Sequence, residues 1–245
     1  MFSLAVAAVL SLAVALVAQT QPTDAAQVLA AAREALGGDK NLSAVKTFVA
    51  NGRTRQVRGN NLVPIEFEMN CELPDRFVRK DEFPAQDTDP TTLGFNGNEL
   101  IQFPLSPPGQ RLVGAKQDFA RLTLGMFAAS FPSYPLTFRY AAQGEAPEGV
   151  ADIIDVSGPA NFSAKLIVQR ATHLPVMLMW ERPAPNAQAK PVENRLYYGD
   201  YRDVNGVKWP FRLRRAVAGD TVEETTFDRF RINAKIDAKK FEVAK

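Results

Sequence analysis

LYYGDYRDVNGVKWPFRLR, Leu196 to Arg214, reads as two strands folded about Asn205-Gly206. Asn-Gly favours a two-residue hairpin turn because both positions tolerate positive φ. Beyond the turn, Val207, Trp209, Phe211 and Leu213 alternate with Lys208, Pro210, Arg212 and Arg214. A period of two sets one greasy face against one wet, cationic face. Ahead of the turn, Leu196 and Tyr198 share one parity, and Tyr197 and Tyr201 the other. Pro210 has no N–H to give to a ladder, so an edge or a bulge is expected beside it.

The same period recurs on both sides of this hairpin. Leu62 to Leu73 is its clearest case, with Val63, Ile65, Phe67, Met69, Cys71 and Leu73 opposed to Glu66, Glu68, Asn70 and Glu72. Such alternation belongs to a sheet buried on one side and wet on the other, the habit of antiparallel sheets. Phe162 to Val168 alternates as cleanly, whereas Val176 to Trp180 is apolar on both parities and should be covered on both faces. Val45–Val57, Arg76–Phe83, a Thr91–Phe103 hairpin turning at Asn96-Gly97, Thr137–Ala142, Val150–Val156 and Thr221–Ile232 also read as strands. Two segments change period. Asp24 to Leu36 is a helix capped by Thr23 or Asp24 and stopped by Gly37-Gly38. Gln110 to Ser130 carries Leu112, Ala115, Phe119, Leu122 and Met126 on one face and ends at Pro132 and Pro135. It fits either a helix that completes the core or a lid over a cavity. Ile236 to Phe241 is expected to tuck against the core. The sum is a mainly β chain with helices (α+β), about ten or eleven antiparallel strands joined by short turns.

Composition bounds the function. The chain has 245 residues, 46% of them apolar, enough for one large core. Lys+Arg 29 against Asp+Glu 27 is near balance, and nothing in it asks for nucleic acid. One Cys excludes an internal disulfide, and one His excludes a multi-histidine metal site. Phe2 to Ala18 is an uncharged run of mostly Ala, Val and Leu, followed by Gln19, Thr20, Gln21 and Pro22. It reads as a signal peptide over residues 1–18, with an uncleaved anchor as the alternative. Residues 19–245 then form a single exported domain, soluble and without a stable membrane span.

Searches for catalytic motifs return nothing: no Gly-x-Ser-x-Gly elbow, no His-Glu-x-x-His, no phosphate-cradling loop. Asp87-Thr88-Asp89 lacks the later Gly and Glu of a calcium loop. His173 sits beside Pro175 in a turn, and Cys71 on an apolar face as an inert thiol. No catalytic residue, metal or cofactor is assigned. What remains is apolar, with 16 Phe and five Met. Met adapts to irregular partners, so a curved sheet and one amphipathic helix allow an apolar cavity, although ordinary core is the alternative for each residue.

An N-terminal helix, a long antiparallel meander and a helix inserted midway resemble the LolA-like superfamily of periplasmic lipoprotein carriers. Asp200 to Phe211, DYRDVNGVKWPF, with Ile232-Asn233 and Ile236-Asp237 leading to Phe241, is similar to the C-terminal pattern of that group. The resemblance implies a strongly curved half-open β-barrel covered by the N-terminal and inserted helices. It also implies non-enzymatic, periplasmic binding or carriage of a lipid or lipoprotein acyl chain. Phe67, Met69, Phe119, Leu122, Met126, Met177, Met179, Trp209 and Phe211 are the candidates to line its cavity. In this family an early-strand arginine holds the lid; Arg53, Arg55 and Arg58 lie nearby, and no motif selects one. The alternative function is a periplasmic protein-binding or sensor module of the same architecture, with Arg212 and Arg214 facing an acidic protein partner.

Overall fold

The computed structural model describes residues 24–104, 111–146, 149–182 and 190–242. The run read as a signal peptide and most of the Pro183–Pro191 loop lie outside them. The elements are α1 (Ala25–Leu36), α2 (Gly38–Ala44), β1 (Thr47–Arg58), β2 (Asn61–Glu72), β3 (Arg76–Glu82), β4 (Thr91–Asn96), β5 (Glu99–Phe103) and α3 (Arg111–Phe127). They continue with β6 (Thr137–Ala146), β7 (Gly149–Gly158), β8 (Phe162–Gln169), β9 (Pro175–Arg182), β10 (Val192–Val204), β11 (Val207–Val217) and β12 (Asp220–Ile232). The described residues form twelve strands, slightly more than the ten or eleven expected, and the Thr91–Phe103 hairpin is among them as β4 and β5.

The helices also need one correction. Asp24 caps α1 as expected, its carboxylate accepting from the Gln27 N–H at 2.7 Å. Gly37 ends α1 but does not end helical structure, since the chain turns at once into α2. Asn41 of α2 donates to the Gly206 carbonyl at 3.2 Å, so the α1–α2 junction sits on the tip of the β10–β11 hairpin. That tertiary seat outweighs the stop signal of two glycines.

All strands form one antiparallel sheet, ordered β5-β4-β3-β2-β1-β12-β11-β10-β9-β8-β7-β6. Among the described residues β5 and β6 are its edges, so it does not close. It must nevertheless curve. β3 and β9 stand six ladders apart, about 29 Å if flat at ~4.8 Å per strand. Yet α3, about 10 Å wide, touches both. Phe119 lies 5.0 Å from Phe77 of β3, and the Arg121 guanidinium 4.6 Å from the Trp180 ring of β9.

The Asn205-Gly206 turn is as read, with φ of 55° and 80° and Val204 paired to Val207. Val207, Trp209, Phe211 and Leu213 are all buried. Pro210 sits where β11 has one neighbour, since its pairing with β12 begins at Arg212. The parity of β10 departs from the reading. Asp200, at φ 53°, interrupts the alternation, and Tyr201 joins Tyr198 on the inner face instead of opposing it. Ile236–Phe241 docks outside the barrel interior: Phe241 is buried with Val78 and Ile101, and Lys240 pairs with Glu68 at 2.9 Å.

Candidate functional site

The inner face of the sheet changes character along its strands. At one end it is aromatic. Trp209 is fully buried, stacked on Phe230 at 4.8 Å, with Phe48 at 5.1 Å and Phe127 of α3 at 5.5 Å. Towards the other end the same parities turn polar. Phe77 leads to Arg79 and Asp81 on β3, Leu178 and Trp180 to Arg182 on β9, and Leu213 to Arg215 on β11. On β12, Phe227 gives way to Thr225 and Glu223. Between these ends, under α3, lies a cavity of about 330 Å³.

Its apolar wall includes Met69, Phe77, Ala115, Phe119, Leu122 and Leu213. Its rim is a set of ion pairs: Arg79 to Asp81 at 2.6 Å, Arg121 to Asp118 at 2.7 Å, and Arg215 to Glu223 at 3.6 Å. Arg79 also donates to Thr54 Oγ1 at 3.1 Å, which is 2.8 Å from Thr225 Oγ1. The cavity opens on either side into wider clefts, sharing Arg79, Asp81 and Glu223 with one and Arg121, Trp180 and Arg182 with the other.

Two tyrosines of β10 hold α3 in place. Tyr198 donates its hydroxyl to the Arg121 carbonyl at 2.5 Å, and Tyr201 donates to the Gly125 carbonyl at 2.7 Å. Burial pushes both phenols well above their ordinary pKa, so they stay donors at any physiological pH. The helix is therefore both things the sequence allowed. Its second half is enclosed, with every residue from Leu122 to Phe127 buried. Its first half roofs the cavity through Ala115 and Phe119, and Leu122, at the start of the second, completes that roof.

The predicted residues divide accordingly. Met69, Phe119 and Leu122 line the cavity. Phe67, Met126, Trp209 and Phe211 are buried in the packed interior beside it. Met177 and Met179 belong to a separate cluster with Ala151, Ile167 and Tyr197, on the opposite face from Leu178 and Trp180. Arg212 pairs with Glu224 at 3.2 Å and Arg214 lies 4.0 Å over the Tyr197 ring, so both cations have partners within the sheet. Arg53 pairs with Asp228 and Arg58 donates to Gln56, whereas α3 receives hydrogen bonds from the two tyrosines. Reading for grease alone missed Arg79, Arg121, Arg182 and Arg215. Strand parity carried the signal for three of them, since each continues an apolar inner row. Among the described residues no cluster of three or more His, Cys, Asp or Glu could hold a metal ion.

Comparison with known proteins bears on the fold. No protein-family model matches the sequence, and no curated protein does. Solved structures do match. A LolA superfamily protein from Nitrosomonas europaea superposes with a TM-score of 0.58 at 12% identity, over 90% of this chain and 98% of that one. A domain from Vibrio parahaemolyticus described as an outer membrane lipoprotein-sorting protein gives 0.55 at 9%, over 89% and 97%. A DUF1329 family protein from Desulfovibrio piger gives 0.53 at 8%, again over 89% and 97%. At such identities the matches speak for architecture, and on that footing the chain has the LolA-like fold.

Proposed function

We propose that the protein binds a lipid or lipoprotein acyl chain, without catalysis, in the cavity between α3 and the curved sheet. The observation that carries this reading is the cavity itself: about 330 Å³, roofed by an amphipathic helix and walled by Met69, Phe77, Leu122 and Leu213. Its volume lies at the small end of ordinary ligand sites, ~300–1,000 Å³, which suits one chain better than several. Ten buried CH₂ groups at about 0.8 kcal/mol each supply roughly 8 kcal/mol before the chain's ordering is charged against them. A polar rim over an apolar interior matches an amphiphile, whose head stays wet while its tail does not. The LolA-like architecture agrees with carriage. In this reading residues 1–18 direct export to the periplasm and residues 19–245 work there as one domain. Among the described residues no helix is long and apolar enough to cross a membrane.

The test is mass spectrometry of organic extracts from the protein purified from its native compartment, alongside a Leu122→Trp variant that fills the cavity. An acyl-bearing species should accompany the parent protein and be depleted from the variant. Equal amounts in both, or none in either, would overturn the reading.

A further inference from the structure

The rim of the cavity is not electrically even. Of its four arginines, Arg79, Arg121 and Arg215 each have a carboxylate partner, taken up by Asp81, Asp118 and Glu223. Arg182 has no ion pair among the described residues. It nonetheless stands close enough to Arg121 for the two charges to repel, and Arg121 is held below its ordinary pKa by burial together with this neighbour. Arg121 is only 11% exposed in its side chain, lying 4.6 Å over Trp180 and 5.4 Å over Phe162.

Two donors at this corner are also unfinished. The Arg121 Nη atoms reach Asp118 at 2.7 Å and Gln117 at 3.3 Å, but its buried Nε–H has no acceptor. Nor has the buried Trp180 Nε1–H. Buried donors without acceptors are costly and are rare unless something else completes them. Both side chains line the cavity and the cleft it opens into. One corner thus gathers an unpaired cation, a half-neutralised one and two unused N–H groups, beside an apolar wall.

We propose that the cavity selects an anionic amphiphile, whose carboxylate or phosphate group seats against Arg121, Arg182 and Trp180 while its chain runs along Leu122 and Met69. The idea rests on the acyl-chain reading and narrows it. A guanidinium fork suits either oxyanion, and a low local dielectric strengthens the contact. Asp118 keeps its bond to one Nη of Arg121, and the Nε–H is left without an acceptor for the headgroup to complete.

Calorimetric titration of the delipidated full chain separates the two ideas. The probes are dodecanoate, dodecyl phosphate, neutral dodecanol and inorganic phosphate alone, with Arg182→Gln and Arg121→Gln beside the parent. Arg182 is exposed, so its variant should fold whatever becomes of Arg121→Gln. The expected result is dodecanoate or dodecyl phosphate binding about tenfold or more tighter than dodecanol. That advantage should shrink in both variants while dodecanol binding is unchanged, and whichever anion gains more names the headgroup. Equal binding of charged and neutral probes would overturn the anionic site and leave the acyl-chain reading standing. Failure of all the dodecyl probes would overturn both. Inorganic phosphate binding as tightly as dodecyl phosphate would overturn the amphiphile and leave a plain phosphate site.

Discussion

The two ends of the interior are built on the same strands with the same alternation, yet one is solid and the other hollow. At the closed end large rings meet one another: Trp209, Phe48, Phe230, Phe227 and Phe127 leave no room between sheet and helix. At the open end the inward positions hold Thr225, Arg79, Arg182 and Arg215; Arg79 and Thr225 meet Thr54, and Arg215 meets Glu223. Long polar side chains do not fill space as rings do, because their charged tips must stay solvated or paired. Alternation decides which residues face inward. The size and polarity of those residues decide whether the inside is a core or a site. α3 joins the two ends, anchored in one and roofing the other.

The largest effect expected from breaking this contrast is at Trp209. Its replacement by Ala removes the centre of the ring cluster and should cost about 3–5 kcal/mol in chemical denaturation. Gly125→Ala comes next. A Cβ there would lie 2.3 Å from the Tyr198 ring, which its hydroxyl bond to Arg121 keeps from moving aside. Helix propensity returns up to ~1 kcal/mol, against an overpacking cost of ~1–3 kcal/mol or more. The midpoint in urea should therefore fall. Tyr201→Phe is milder. It takes the donor from the carbonyls of Gly125 and Pro175, at 2.7 and 2.9 Å, and should cost about 1–2 kcal/mol. It should also raise hydrogen exchange in the last turns of α3.

Much of this was legible beforehand, and the gaps have physical causes. The inner rows of β2, β8 and β11 follow from period two alone, and α3 from its stripe. Tyr201 was misplaced because Asp200, at positive φ, interrupts the alternation just before it, and an Asp there looks like any other polar strand residue. Met177 and Met179 read as cavity candidates from the sequence although β9 is apolar on both parities, so the pattern gave no means of choosing its inner face. Only its pairing with β8 and β10 puts Leu178 and Trp180 under α3. The cavity was the hardest to see, since hollowness is a property of what several distant strands place opposite one another. Arg79, Arg182 and Arg215 looked like solvated charges until curvature brought their inner rows round a single helix.

That last point can be sharpened on α3 itself, where Leu122 and Leu124 stand two residues apart. Leu124 is fully buried and does not border the cavity, whereas Leu122 does. Enlarging each to Phe puts the same extra volume into the two environments. At Leu124 the neighbours must shift, and overpacking of a dense interior costs about 1–3 kcal/mol. At Leu122 the ring has empty space to enter, so the stability change should stay within ~1 kcal/mol of zero. Binding of a dodecyl probe should fall for Leu122→Phe and hold for Leu124→Phe. Equal destabilisation by the two, with binding untouched in both, would mean that the open end is packed in solution like the closed one, and that the contrast between them belongs to side-chain chemistry alone.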